Sequence, residues 1–124
     1  MENDVMSSKP ISPKIHGLID YAFAVALFAV PKLIGSKKKT RVLYKIIAGE
    51  VFLYGAISKH PNAMYPIIPF GLHKKIDIGN LTGLALLSAY KGIYKHQPTL
   101  TFHAGMIILG ITTVLLTNWN QKSA

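Results

Sequence analysis

The sequence predicts an all-α fold: a bundle of four transmembrane helices made of two parallel helical-hairpin repeats. Three observations predict it. Four stretches (15–31, 46–58, 76–90 and 98–118) are nearly free of charge. The Lys and Arg residues lie between or at the edges of these stretches, as basic loops flank membrane spans. A His-x-x-x-Asp turn occurs twice, as His16/Asp20 and His73/Asp77, near the start of the first and third stretches.

Composition agrees with one membrane domain. The 124 residues suffice for a single domain. Half are hydrophobic and 15% are charged, against roughly 25% in a soluble domain. A soluble helix shows a polar face, yet residues 102–117 of the fourth stretch show only Gly, Thr and one His. The second and third stretches reach the roughly 17–25 residues of a span only by extending to Val42 and Lys91, whose ammonium can snorkel to the interface. The net charge of +9 is explained more simply by anionic lipid headgroups than by nucleic acid. With no Cys, disulfide and thiolate chemistry are excluded.

Residues 1–13 read as a mobile tail, without the basic, apolar and small-residue order of a signal peptide. Ser12-Pro13 suits a helix entry, a capping hydroxyl before a proline in the first turn. Helix 1 is expected over 14–34, with Pro31 marking a kink or end, and a basic turn follows over 35–41. Helix 2 is expected over 41–58, with Glu50 near its middle. The segment 59–71, with prolines at 61, 66 and 69, cannot be a regular helix. Its apolar side chains suggest a loop on the membrane surface or over the bundle end. Helix 3 is expected over 72–94 and helix 4 over 99–119, joined by a tight turn, with 120–124 as tail.

The halves, about 14–58 and 72–119 of a 14–119 domain, look like copies. The His/Asp turns match at an offset of 57 residues, and Ala48-Gly49 matches Ala104-Gly105 at 56. Each half ends in a hydroxyl residue, Ser58 or Thr117. A half with two spans returns the chain to its starting side, so the repeats are parallel and both His/Asp turns lie at one depth. The basic residues favour the two tight loops slightly, eight against six. This places the loops in the cytoplasm and both termini outside.

With these turns in view, the chain resembles the small bacterial four-helix membrane proteins that carry the SPW repeat. Those open a span with a His-x-x-x-Asp turn and place a Ser-Pro-Trp-like signature near its end. Here the signature positions hold Val30-Pro31-Lys32 and Ser88-Ala89-Tyr90, keeping one Pro, one Ser and neither Trp. The segment Ile68-Pro69-Phe70-Gly71-Leu72-His73 adds to the likeness. The resemblance implies a multi-pass protein of the bacterial inner (plasma) membrane, with no settled activity.

Three of the five acids, Asp20, Glu50 and Asp77, fall inside apolar stretches. A carboxylate there costs roughly 2.5–3.5 kcal/mol on insertion scales and is expected to face the interior with a partner. Residues four apart share a helix face, so packing of the halves brings His16, Asp20, His73 and Asp77 together. Three readings fit. In the first, His16 bonds Asp77 and His73 bonds Asp20, as structural glue between repeats. In the second, two imidazoles and two carboxylates bind a divalent ion: Zn, Fe, Mn or Ni. The third is a proton or ion relay with Glu50 as a deeper station. A haem between His16 and His73 is disfavoured by the adjacent aspartates. His103 is expected to pair with Tyr44 or a backbone carbonyl; His60 and His96 are expected in solvated loops. No nucleotide loop or hydrolase elbow is present. The expected function is a small integral membrane protein, contacting lipid and no nucleic acid, whose His/Asp cluster is structural or cation-binding. The alternatives are a metal-dependent membrane enzyme and a small proton or ion transporter, which would need to form a homo-oligomer.

Overall fold

The computed structural model describes residues 9–120; the expectations for residues 1–8 and 121–124 lie outside them. The described residues are all-helical, with five helices and no strand: α1 (Pro13–Leu33), α2 (Lys38–Ile57), α3 (Phe70–Leu87), α4 (Lys91–Tyr94) and α5 (Gln97–Leu116). Of these, α1 and α5 are long and apolar enough to cross a membrane. α2 and α3 fall short, because α2 begins with Lys38, Lys39, Arg41 and Lys45, and α3 carries Lys74, Lys75 and Asp77.

α1 starts where the sequence places it. The Ser12 hydroxyl accepts from the Ile15 N–H at 3.3 Å, and Pro13 takes the first helical position. The helix runs on past Pro31 to Leu33. The exit is made by Gly35 at φ 80°, a left-handed conformation that a side chain would strain. It lets the Ser36 N–H reach the Pro31 carbonyl (2.9 Å) and the Gly35 N–H reach Lys32 (3.3 Å), closing the last turn. Residues 11 and 12 are not free tail. The Ile11 N–H bonds the Leu116 carbonyl and the Ile11 carbonyl accepts from Asn118, tying the entry of α1 to the end of α5.

The segment 58–69 folds over the end of α2. Carbonyls left without helical partners at Ala56 and Ile57 accept from the amides of Met64, Tyr65, Ile67 and Ile68. A Ser58/Ile68 bridge here mirrors the Ile11/Thr117 bridge at the other junction.

The expected helix over 72–94 is two helices. α3 stops at Leu87, Tyr90 is extended, and α4 follows as a single turn. The break swings Ile93 into the core, where it is fully buried with Leu27 and Tyr44. α1 packs along α2 and α3 packs along α5, with α1 also meeting α5. The core holds Ala24, Leu27, Tyr44, Ala48, Val51 and Met106.

Candidate metal centre

The first turns of α1 and α3 place His16, Asp20, His73 and Asp77 in one buried group. The i, i+4 spacing puts each pair on one face. Both imidazoles have no exposed surface, and each aspartate is 7% exposed. His16 Nε2 lies 2.9 Å from Asp77 Oδ2, and His73 Nε2 lies 2.8 Å from Asp20 Oδ2. The same-helix distances are longer, 3.3 Å for His16/Asp20 and 3.4 Å for His73/Asp77. Each Nε2 thus faces two carboxylate oxygens, and each oxygen faces two imidazoles. All four ligand atoms lie within 4.8 Å of one another, so the group could hold a metal ion.

The other ring nitrogens decide the tautomers. His16 Nδ1 lies 2.8 Å from Thr117 Oγ1, and His73 Nδ1 lies 2.7 Å from Ser58 Oγ. Both hydroxyls spend their own hydrogens on backbone carbonyls one turn back, Thr117 on Thr113 and Ser58 on Tyr54. They are therefore acceptors, and each Nδ1 carries a proton. A neutral ring would then aim the lone pair of Nε2 at two carboxylates. Either a proton lies between each Nε2 and an aspartate, or a cation sits among the four atoms. Two carboxylates cancel two imidazoliums, and they equally cancel one divalent ion between neutral rings.

The supports cross over. Ser58 closes the first half but holds the histidine of the second; Thr117 closes the second half but holds the histidine of the first. The sequence marks both as hydroxyl ends but does not reveal this role. The matched pairs Ser58/Thr117 and Tyr54/Thr113 also set α2 against α5 at an offset of 59 residues, in place of the Ala48/Ala104 match. Tyr54 breaks the correspondence. Its hydroxyl donates to Asp77 Oδ1 at 2.6 Å, while Thr113 donates to the Leu109 carbonyl and leaves Asp20 without a phenol.

An aromatic lid covers the outer side. Trp119 and Phe70 pack against His16 with centroids 4.8 and 5.5 Å away, and the Trp119 indole N–H bonds the Val114 carbonyl. His60 is buried, not solvated. Its Nε2–H donates to the Gly55 carbonyl at 2.6 Å, and its Nδ1 accepts from the Asn62 amide. Burial pushes its pKa below the ordinary imidazole value. It lies against Gly17, where a Cβ would collide with the ring. His96 is half-buried against Thr99 at 2.7 Å.

Glu50 does not join the group. It is exposed on the outer side of α2, so the deeper station expected of it is not in the interior. His103 takes both partners expected of it. Its Nε2–H donates to the Leu84 carbonyl near the end of α3, and its Nδ1 accepts from Tyr44, each at 2.7 Å. No family model, curated protein or solved structure matches this chain.

Proposed function

We propose that the chain is a small multi-pass membrane protein, a duplicated helical hairpin, that binds one divalent transition metal through His16, Asp20, His73 and Asp77. Zinc is the first candidate, since two neutral imidazoles and two carboxylates suit it and the site needs no redox change. The observation that carries the reading is the convergence of two Nε2 atoms and two Oδ2 atoms, with both Nδ1 protons already committed to hydroxyls. Bonds of about 2.0–2.1 Å at tetrahedral angles give edges of roughly 3.3 Å. Four of the six edges, the N···O separations, are 2.8 to 3.4 Å, and all six lie within 4.8 Å. The hydroxyl supports are the second layer that histidine ligands use to fix ring orientation.

Four spans are supported by what the helices expose. Val42, Ile46 and Leu53 of α2, and Leu72, Ile78 and Leu86 of α3, face outward beside the apolar surfaces of α1 and α5. In water such a surface would be an aggregation liability; acyl chains would cover it. The cations of α2 lie in its first two turns, and Lys74 and Lys75 in the first turns of α3, where they can snorkel. Four protein ligands leave no coordination position open, which favours a structural or storage role for the ion over catalysis.

The shorter cross-helix distances favour a second reading, in which two imidazolium–aspartate pairs hold the halves together without metal. Elemental analysis of detergent-purified protein, dialysed after zinc addition, separates the two. One ion per chain, lost in both His16→Ala and His73→Ala, supports the metal centre. A wild-type protein free of metal, with both variants merely melting earlier, overturns it in favour of the pairs.

A further inference from the structure

Glu50 faces outward from α2, and no ion pair reaches its carboxylate among the described residues. Lys45, the cation nearest to it along the helix, lies over the Phe28 ring instead. Glu50 is about 10 Å from the Ile57 end of α2, at 1.5 Å per residue. In a spanning helix that is too deep for a short carboxyl side chain to reach the headgroups. An acid held against acyl chains is expensive and calls for a partner. The fold itself does not ask for an acid there. At the offset of 59 residues the matching position on α5 is Leu109, which also faces outward, 43% exposed.

Glu50 also belongs to a row. Lys39, Leu43, Ile46, Glu50, Leu53 and Ile57 follow one another at intervals of four, three, four, three and four. That is the spacing of a coiled-coil seam, apolar except for a cation at its start and an acid within it. None of the six is buried, and Ile46 and Leu53 are 66% and 61% exposed. The inner face of α2, with Tyr44, Ala48, Val51 and Tyr54, already packs within the chain. The row is a second face, unpaired among the described residues.

We infer that the chain forms a two-fold dimer in the membrane through this row of α2, with the two Glu50 carboxyls hydrogen-bonded across the axis. The inference rests on the proposed membrane-spanning reading and is independent of the metal. Copies in one membrane share an orientation. A two-fold axis along the membrane normal then sets the two α2 helices parallel and brings each residue to its own counterpart at one depth. A protonated carboxyl donates one hydrogen bond and its oxygens accept another, so two of them complete each other. Any other helix would have to bring its own polar group to that depth; a second copy brings one by symmetry. A single polar residue in such a seam also fixes its register and the number of strands. Lys39 lies in the first turn of α2, where its ammonium can reach the headgroups.

The test is sedimentation equilibrium of the full chain in density-matched detergent micelles, paired with oxidative cross-linking in lipid vesicles. The wild type is expected to dimerise, Glu50→Leu to weaken the dimer at least about tenfold, and Glu50→Gln to keep it, because an amide both donates and accepts. Circular dichroism equal to that of the wild type shows that each variant is folded. The chain has no Cys, so Leu53→Cys reports contact directly: it is expected to give a disulfide-linked dimer, and Leu109→Cys is not. A monomeric wild type in micelles, a dimer indifferent to Glu50→Leu, or cross-linking through Leu109→Cys in place of Leu53→Cys overturns the inference and leaves the membrane reading standing. A chain that stays monodisperse in buffer without detergent overturns the membrane reading and this dimer with it, since Glu50 would then face water.

Discussion

Replacing Thr117 with valine tests the centre at its support rather than at its ligands. The side chains have nearly the same shape, so the change removes a hydroxyl and little else. That hydroxyl accepts from His16 Nδ1 at 2.8 Å in a fully buried setting. Without it, an imidazole N–H is left without an acceptor, a loss of roughly 1–3 kcal/mol. This part of the effect is present with or without metal and is read as a lower thermal midpoint in chelator. The second part is specific to the ion. Losing the group that orients a histidine ligand typically weakens metal binding 10–100-fold, or about 1.4–2.7 kcal/mol. Competition against a chromophoric chelator measures it directly. Thr117→Ser keeps the hydroxyl and is expected to recover most of the affinity. Wild-type affinity in Thr117→Val, in a protein where His16→Ala loses the metal, would refute the assigned role of the hydroxyl.

Other outcomes follow from the same geometry. Chelation of the metal-loaded wild type is expected to lower the thermal midpoint by an amount that grows with the zinc concentration before chelation, reaching about 2.7 kcal/mol at a hundredfold excess over Kd; a midpoint indifferent to zinc would count against binding. Asp77→Leu leaves two imidazoles facing one carboxylate and removes the acceptor of the Tyr54 hydroxyl, so a loss of roughly 3–5 kcal/mol is expected in denaturant titration. Tyr44→Phe leaves the buried Nδ1 of His103 without a donor, for roughly 1–3 kcal/mol, and leaves metal content unchanged. Gly17→Ala drives a methyl into the boxed His60 ring and is expected to cost roughly 1–3 kcal/mol by calorimetry, whereas Gly49→Ala, with open space around it, is neutral or slightly stabilising.

The convergence of the four His and Asp residues is legible in the sequence because helical spacing is a local property. A spacing of four from His to Asp fixes a shared face before any tertiary contact is known. The entry of α1 was legible for the same reason: Ser12 and Pro13 act within one turn. What escaped was non-local. Ser58 and Thr117 look like ordinary helix-end hydroxyls until the halves cross and each meets the other half's histidine. His60 looked like loop because prolines and polar residues surround it, yet the loop folds back and Gly17 makes room for its ring. The end of α3 is not legible because nothing local to Leu87 forbids a helix; burial of Ile93 in the core accompanies the break. An acid in an apolar run is expected to be sheltered, yet Glu50 is exposed and the buried face of α2 carries Tyr44, Ala48, Val51 and Tyr54 instead.

The exchange of supports between the halves bears on how the molecule is made. Thr117 follows His16 by 101 residues, so α5 must be in place before His16 obtains its acceptor. The first hairpin can insert early, but on its own it holds one imidazole, one carboxylate and a hydroxyl waiting for a histidine not yet synthesised. A chain cut short before α5 would carry α1 to α4 and only one oriented ring. Tight capture of an ion would then report that both halves are in place.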